Sequence, residues 1–96
     1  GYVEQVYALT NKMPIASIQN AAGKFVFPNL EAVTSAAESS LKNIPADFRV
    51  SITNAAGAKS YPISAFTYIL VYKKSGTPAS KEVKSFLNWS MGKGQE

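Results

Sequence analysis

Residues 61–72 constrain the fold of this chain more than any other stretch of its sequence. From Ala65 onwards both alternating sets of side chains are largely apolar, one being Phe66, Tyr68, Leu70 and Tyr72 and the other Ala65, Ile69 and Val71. A strand that is apolar on both faces is normally covered on both faces. The sequence therefore predicts a strand in the middle of a sheet, with helices above and below it.

Three helices are predicted from apolar spacing and capping residues. The first is short and lies within residues 3–12. The second spans residues 30–42, because Asn29 is a good N-cap and apolar residues recur at spacings of three and four. The third begins after the N-cap Thr77 and ends at Gly92, which is placed to cap it.

Further strands are expected between the helices. Residues 15–18 and 25–27 flank turn-forming residues at 20–23 and are expected to pair as a hairpin. Residues 48–53 alternate between apolar and polar, which is typical of a half-buried strand. Helices and strands alternate without internal repeats, so the predicted class is α/β, or α+β, with a mixed sheet and flanking helices.

The chain is short enough that its core must be thin. At 96 residues it is expected to bury only about 60 to 65% of the surface that its unfolded form exposes. Leu70 in the central strand and Leu87 on the last helix are the predicted core residues. We treat residues 1–96 as a single partial domain with a small margin of stability.

Composition excludes most catalytic and metal chemistry. The chain has no Cys and no His, which excludes disulfides, thiolate nucleophiles, histidine-based triads and nearly all zinc and copper sites. Its serines have no recognisable base, and its six acidic residues show no spacing typical of a metal site or an acid–base pair. The sequence therefore predicts no catalytic residue, no metal ligand and no cofactor, and an enzyme is the least favoured class.

The charge and hydropathy of the chain give little support to a nucleic-acid or membrane partner. The net charge is +4, but the basic residues are scattered, so no nucleic-acid interface is expected. The longest apolar run is far shorter than the roughly 20 residues of a membrane span. Residues 20–24 and 54–57 resemble each other, each containing Asn-Ala-Ala-Gly, and lack the spacing of a phosphate loop. We interpret both as turns.

Several segments of the chain, taken together in order, resemble one protein family. They include Gly-Tyr-Val-Glu at residues 1–4, Tyr-Pro-Ile-Ser at 61–64 with Leu-Val-Tyr-Lys at 70–73, and Phe-Leu-Asn-Trp at 86–89. In this order they closely resemble the C-terminal third of the periplasmic phosphate-binding proteins that serve the phosphate ABC transporter. The resemblance covers nearly the whole chain.

The resemblance implies a part of a bilobal extracytoplasmic receptor with the type II periplasmic-binding-protein fold. Such a receptor closes over one inorganic phosphate and passes it to a membrane permease, so phosphate and permease are implied as partners of the full-length receptor. The family's phosphate ligands lie mostly upstream of the matching segments. No phosphate-binding residue is therefore assigned in this chain, and a periplasmic location is implied.

Two segments resemble stretches near the family's inter-lobe crossover and are candidate hinges. The first hinge segment comprises Gly1, Tyr2, Val3 and Glu4, and the second comprises Tyr61, Pro62, Ile63 and Ser64.

An alternative is a stand-alone, truncated relative that acts as an oligomerising or partner-binding module. Both hypotheses leave a strand edge and an apolar face without a cover in the isolated chain. We therefore expect a homodimer of the isolated chain, with Phe66, Tyr68 or Trp89 near the contact.

Overall fold

The computed structural model describes residues 1–41, 44–74 and 76–96. The elements follow in the order α1 (Gln5–Thr10), β1 (Ile18–Gln19), β2 (Phe25–Val26), α2 (Leu30–Ser40), α3 (Pro78–Ser90) and a final 3-10 turn (Lys93–Gln95). All three predicted helices and the hairpin are confirmed. The last residue predicted for the second helix, Lys42, lies outside the described residues.

The two longer helices begin where their capping residues predict. Asn29 Oδ1 accepts a hydrogen bond from the Ala32 amide at 2.8 Å at the start of α2. Thr77 Oγ1 accepts one from the Ser80 amide at 3.4 Å at the start of α3. The helices differ in packing, because α2 buries Ala32 and Ala36 whereas no described residue of α3 is buried.

The sheet consists of one short antiparallel pair in the described chain. Ile18 lies opposite Val26, and Gln19 lies opposite Phe25. Gly23 has a φ of +71° in the connecting turn, a conformation that glycine adopts at little cost. The hairpin is therefore formed as expected, but its strands are shorter than residues 15–18 and 25–27.

The prediction of a central strand at residues 66–72 is wrong for this structure. Residues 65–72, called the unpaired segment below, lie outside every strand, and so do residues 48–53. Leu70 is 92% exposed, although it was predicted to be a core residue. The side-chain pattern is that of a buried strand, but the described chain supplies no neighbouring strand to pair with it. The expected mixed sheet with helices on both faces is therefore absent from the described residues.

The core is small, and its residues come from α1, α2 and the region that follows α2. Its buried apolar residues are Ala8, Ala32, Ala36 and Ile52, and the predicted core residue Leu87 is half-buried. The accessible surface is 8199 Å², against about 5,400 Å² for a compact monomer of this mass. The radius of gyration is 16.6 Å, against about 12.5 Å for a compact domain. The chain therefore leaves much of its apolar surface open.

None of the helices in the described ranges combines the length and apolarity that a membrane crossing requires.

Candidate functional site

Both predicted hinge segments line one open cleft, called the hinge cleft below. Its volume is about 930 Å³. All four residues of the first hinge segment contribute to its lining, together with Tyr61, Ile63 and Ser64 of the second. Residues that are 60 positions apart in sequence are thus brought to one place, as the resemblance implies for a crossover between lobes. Their role as hinges stays a prediction.

The walls of the hinge cleft come from α1, the approach to β1 and the start of α2. Gln5 Nε2 donates a hydrogen bond to the carbonyl oxygen of Pro28 at 2.6 Å, which ties α1 to the residues before α2. Ala8 packs α1 inward and is buried. Met13, Ile15 and Val33 add apolar lining. The cleft is therefore mainly apolar and open to solvent.

The second hinge segment is held firmly from two sides. The Tyr61 amide donates to the carbonyl oxygen of Ala32 in α2 at 3.1 Å, and the Asn54 amide donates to that of Pro62 at 2.7 Å. Ser64 is buried, and its hydroxyl donates to the carbonyl oxygen of Tyr61 at 2.9 Å. The segment therefore has fixed attachments to α2 and to the loop before it.

The first hinge segment is attached far more loosely. Tyr2 is 96% exposed, and Val3 is also exposed. The carbonyl oxygen of Glu4 accepts a hydrogen bond from the Ala8 amide at 3.2 Å at the start of α1, where Glu4 provides no side-chain cap. The two hinge candidates thus share a cleft but differ in how strongly the described chain restrains them.

Asn20 forms a buried polar junction that was not predicted from the sequence. Its Nδ2 lies 3.1 Å from each of three carbonyl oxygens, those of Gly57, Ala58 and Ser60, which share its two N–H groups. Its Oδ1 accepts at 3.0 Å from the amides of Ala22 and Lys24. The two Asn-Ala-Ala-Gly loops are therefore joined, and their similarity was the sequence signal that could have suggested a common location.

The charged groups of the described chain do not converge on the hinge cleft. The Arg49 side chain is 90% exposed and lies 3.7 Å from the Asp47 carboxylate, an exposed pair that contributes little to stability. The described lysines are exposed. In the described residues, no group of three acidic, Cys or His side chains is arranged to hold a metal ion.

The helix N-termini also differ from a phosphate cradle. An anion is held there by backbone N–H groups that remain free. In α2 and α3 the side chain of the capping residue, Asn29 or Thr77, already accepts a hydrogen bond from one such group, the amide of Ala32 or Ser80. One N-terminal amide of each helix is therefore already engaged.

Comparison with known proteins identifies relatives over the whole chain. No family model matches. A protein from Xylella fastidiosa (strain 9a5c) is 40% identical over 97 residues, covering 100% of this chain and 27% of the relative. A Haemophilus influenzae protein is 40% identical, with 100% and 29% covered, and one from Methanocaldococcus jannaschii is 36% identical, with 99% and 27% covered.

All three relatives are named Phosphate-binding protein PstS. The chain is therefore homologous to a segment of these proteins, and the resemblance inferred from the sequence is confirmed. The chain spans little more than a quarter of the relatives' length. The relatives are named as binding proteins and not as enzymes. That the matching segment is the C-terminal part stays a prediction.

Proposed function

We propose that these residues form part of an extracytoplasmic receptor that binds inorganic phosphate and delivers it to the permease of an ABC transporter. The observation that carries the proposal is the homology of the entire chain to proteins named for phosphate binding, at 36 to 40% identity. In this proposal the receptor has the type II periplasmic-binding-protein fold and acts in the periplasm or its equivalent. It performs no catalysis.

Within that receptor the chain provides framework and an inter-lobe connection rather than phosphate ligands. The shared hinge cleft supports this assignment, because both candidate crossover segments line it. The capped N-termini of α2 and α3 support it as well, since in each helix the capping side chain already bonds one N-terminal amide, that of Ala32 or Ser80.

The chain exposes more surface than a compact monomer of its mass, which supports its incorporation into a larger protein. The exposed area of 8199 Å² exceeds the value for a compact monomer of this mass by about 2,800 Å². A standard protein interface hides only about 800 Å² on each partner. Ordinary pairing of two copies would therefore leave most of the excess uncovered, whereas packing within a receptor more than three times as long could cover it.

A stand-alone oligomerising module is the competing proposal. It is favoured by the exposure of two aromatic residues in the second half of the chain, since Tyr68 and Trp89 are 52% and 54% exposed. A homodimer would have to be intertwined to hide the excess area. Sedimentation equilibrium of the isolated chain distinguishes the two, because the module requires a stable dimer whose mass persists on dilution.

The receptor proposal is tested with a chimera. The homologous segment of the Xylella fastidiosa relative is replaced by these 96 residues, and phosphate is titrated in by calorimetry. We expect one phosphate per chimera, with a Kd within about tenfold of the parent, which corresponds to 1.4 kcal/mol. The parent lacking the segment is the control and is expected to bind no phosphate. A chimera that melts cooperatively but does not bind phosphate, or one that does not fold, would contradict the proposal.

A further inference from the structure

Most of the positive charge of the chain is concentrated at the start of α3 and just before it. Residues 73–84 contain four lysines and one glutamate, so this stretch has a net charge of +3 whereas the whole chain has +4. Elsewhere the basic residues are scattered and nearly balanced by acidic ones. The four lysines, called the lysine patch below, are Lys73, Lys74, Lys81 and Lys84.

The lysine patch lies beside a groove between the unpaired segment and α3. The groove has a volume of about 270 Å³, and both Tyr72 and Lys84 line it. Lys73 and Lys74 directly follow Tyr72, and Lys81 precedes Lys84 by three positions, a spacing that puts both on one helix face. All four lysines are exposed, and within the described ranges none of them pairs with an acidic side chain. The patch therefore lacks an anionic partner in the described chain.

The groove itself is largely apolar. Leu70 and Val71 line it from the unpaired segment, and Ala79 and Val83 line it from α3. Tyr72 is 86% exposed where the lysines begin, and tyrosine is enriched where an apolar phase meets water. An apolar groove beside unpaired lysines fits an amphipathic anion such as a phospholipid. A nucleic acid or an acidic protein segment would use the lysines but would gain little from the groove.

The patch is expected to stay exposed when the chain is part of a larger receptor. The apolar stripe of α3, which comprises Val83, Phe86 and Leu87, lies on the side of the helix away from Lys81 and Lys84, since residues spaced by three and four share a face. Lysine is almost never fully buried unless it is paired. Packing of the stripe against the rest of the receptor would therefore leave these lysines in contact with solvent.

We propose that the lysine patch and its groove hold the receptor against a membrane surface that contains anionic phospholipids. The lysine ammonium groups bind the phosphate groups of the lipids, and the groove receives the apolar part of a lipid. Salt weakens the attraction, because it acts between exposed charges. The inference extends the proposed function, since a receptor held at the membrane stays close to the permease.

The test measures co-sedimentation of the chimera with vesicles of phosphatidylcholine and phosphatidylglycerol in equal amounts. Each lysine near an anionic surface strengthens binding roughly fivefold. A patch variant is expected to lower the partition coefficient at least about 50-fold, and its changes are Lys73→Gln, Lys74→Gln, Lys81→Gln and Lys84→Gln. A control variant with the same change in net charge outside the patch is expected to lower it at most about threefold, and its changes are Lys12→Gln, Lys24→Gln, Arg49→Gln and Lys59→Gln. Equal effects of the two variants would overturn the inference.

The composition of the probe separates a lipid surface from other anions. We expect binding to vesicles of phosphatidylcholine alone to be at least about tenfold weaker. Polyglutamate that binds the chimera as strongly as the anionic vesicles do would assign the patch to an acidic protein and overturn the lipid partner. Inorganic phosphate that displaces the chimera from vesicles, when chloride of equal ionic strength does not, would assign the patch to free phosphate and overturn it as well.

The outcomes also separate this inference from the proposed function. A chimera that binds phosphate but not anionic vesicles would overturn the inference and leave the function intact. A chimera that binds anionic vesicles but no phosphate would overturn the function alone. The same vesicle assay on the isolated chain and its two variants tests the patch where the chimera does not fold. An equal loss of binding in those two variants would overturn the inference there.

Discussion

The Asn20 side-chain amide donates a hydrogen bond to the backbone carbonyl oxygen of Ser60 at 3.1 Å, across 40 positions of sequence, and both residues are buried. The same amide group reaches the carbonyl oxygens of Gly57 and Ala58. The junction joins the hairpin to the loop that leads into the second hinge segment. Because the apolar core is so small, this buried polar junction contributes much of the specificity with which the chain packs.

Asn20→Ala is expected to destabilise the chimeric receptor substantially. The substitution leaves buried carbonyl and amide groups without partners, and each such group costs about 1 to 3 kcal/mol. We expect the free energy of unfolding, measured by denaturant titration, to fall by at least about 2 kcal/mol. Gln19→Ala is the control, because Gln19 is exposed in the same hairpin. Equal stability of the two variants would show that the junction contributes little.

Gly57→Ala is expected to cost more stability than Gly23→Ala. Both glycines have positive φ, +121° and +71°, which side chains disfavour by about 1 to 2 kcal/mol. A Cβ at Gly57 would also lie 2.8 Å from the Ser60 hydroxyl oxygen, whereas one at Gly23 would be 4.0 Å from its nearest neighbour. Thermal melts of the two chimeras provide the comparison. The reverse order would mean that the loop relaxes around a side chain at position 57.

Local signals in the sequence were sufficient to predict the helices and the hairpin. Asn29 and Thr77 cap their helices as expected, since capping depends on residues within one turn. The unpaired segment does not form the predicted strand, because pairing requires a neighbouring strand that the segment's own sequence cannot supply. The pattern around Leu70 is typical of a strand interior, yet in the described chain that side chain is exposed and belongs to no strand.

The effect of Leu70→Ala is expected to depend on context. In the isolated chain Leu70 is 92% exposed, so its replacement should change the thermal melting profile very little. In the chimera the side chain becomes buried, and its truncation should cost about 2 to 5 kcal/mol. Ser39→Ala serves as the control, with an expected cost below about 0.5 kcal/mol in either context. A neutral Leu70→Ala in the chimera would show that the strand is not central.

The isolated chain is expected to bind phosphate only weakly. Its described basic side chains are exposed, and an exposed ion pair contributes at most about 1 kcal/mol. Calorimetric titration with phosphate should therefore give a Kd of about 1 mM or weaker, similar to that for sulfate. A one-to-one site with micromolar affinity would contradict the assignment of the phosphate ligands to other parts of the receptor.

The candidate site was predictable only in part. The resemblance suggested two candidate hinge segments, and residues of both line one cleft. The difference in restraint between them was not predictable, because it depends on long-range contacts such as the Tyr61 amide with the carbonyl of Ala32. The Asn20 junction was missed for the same reason, since its partners lie 37 to 40 positions away.

Small-angle X-ray scattering of the isolated chain, with its mass determined by sedimentation, tests most directly whether these residues are an open part of a larger receptor. We predict a monomer at low concentration with a radius of gyration near 16.6 Å. A monomer with a radius of gyration of about 12.5 Å and cooperative unfolding would contradict the account, because the chain would then close its own core.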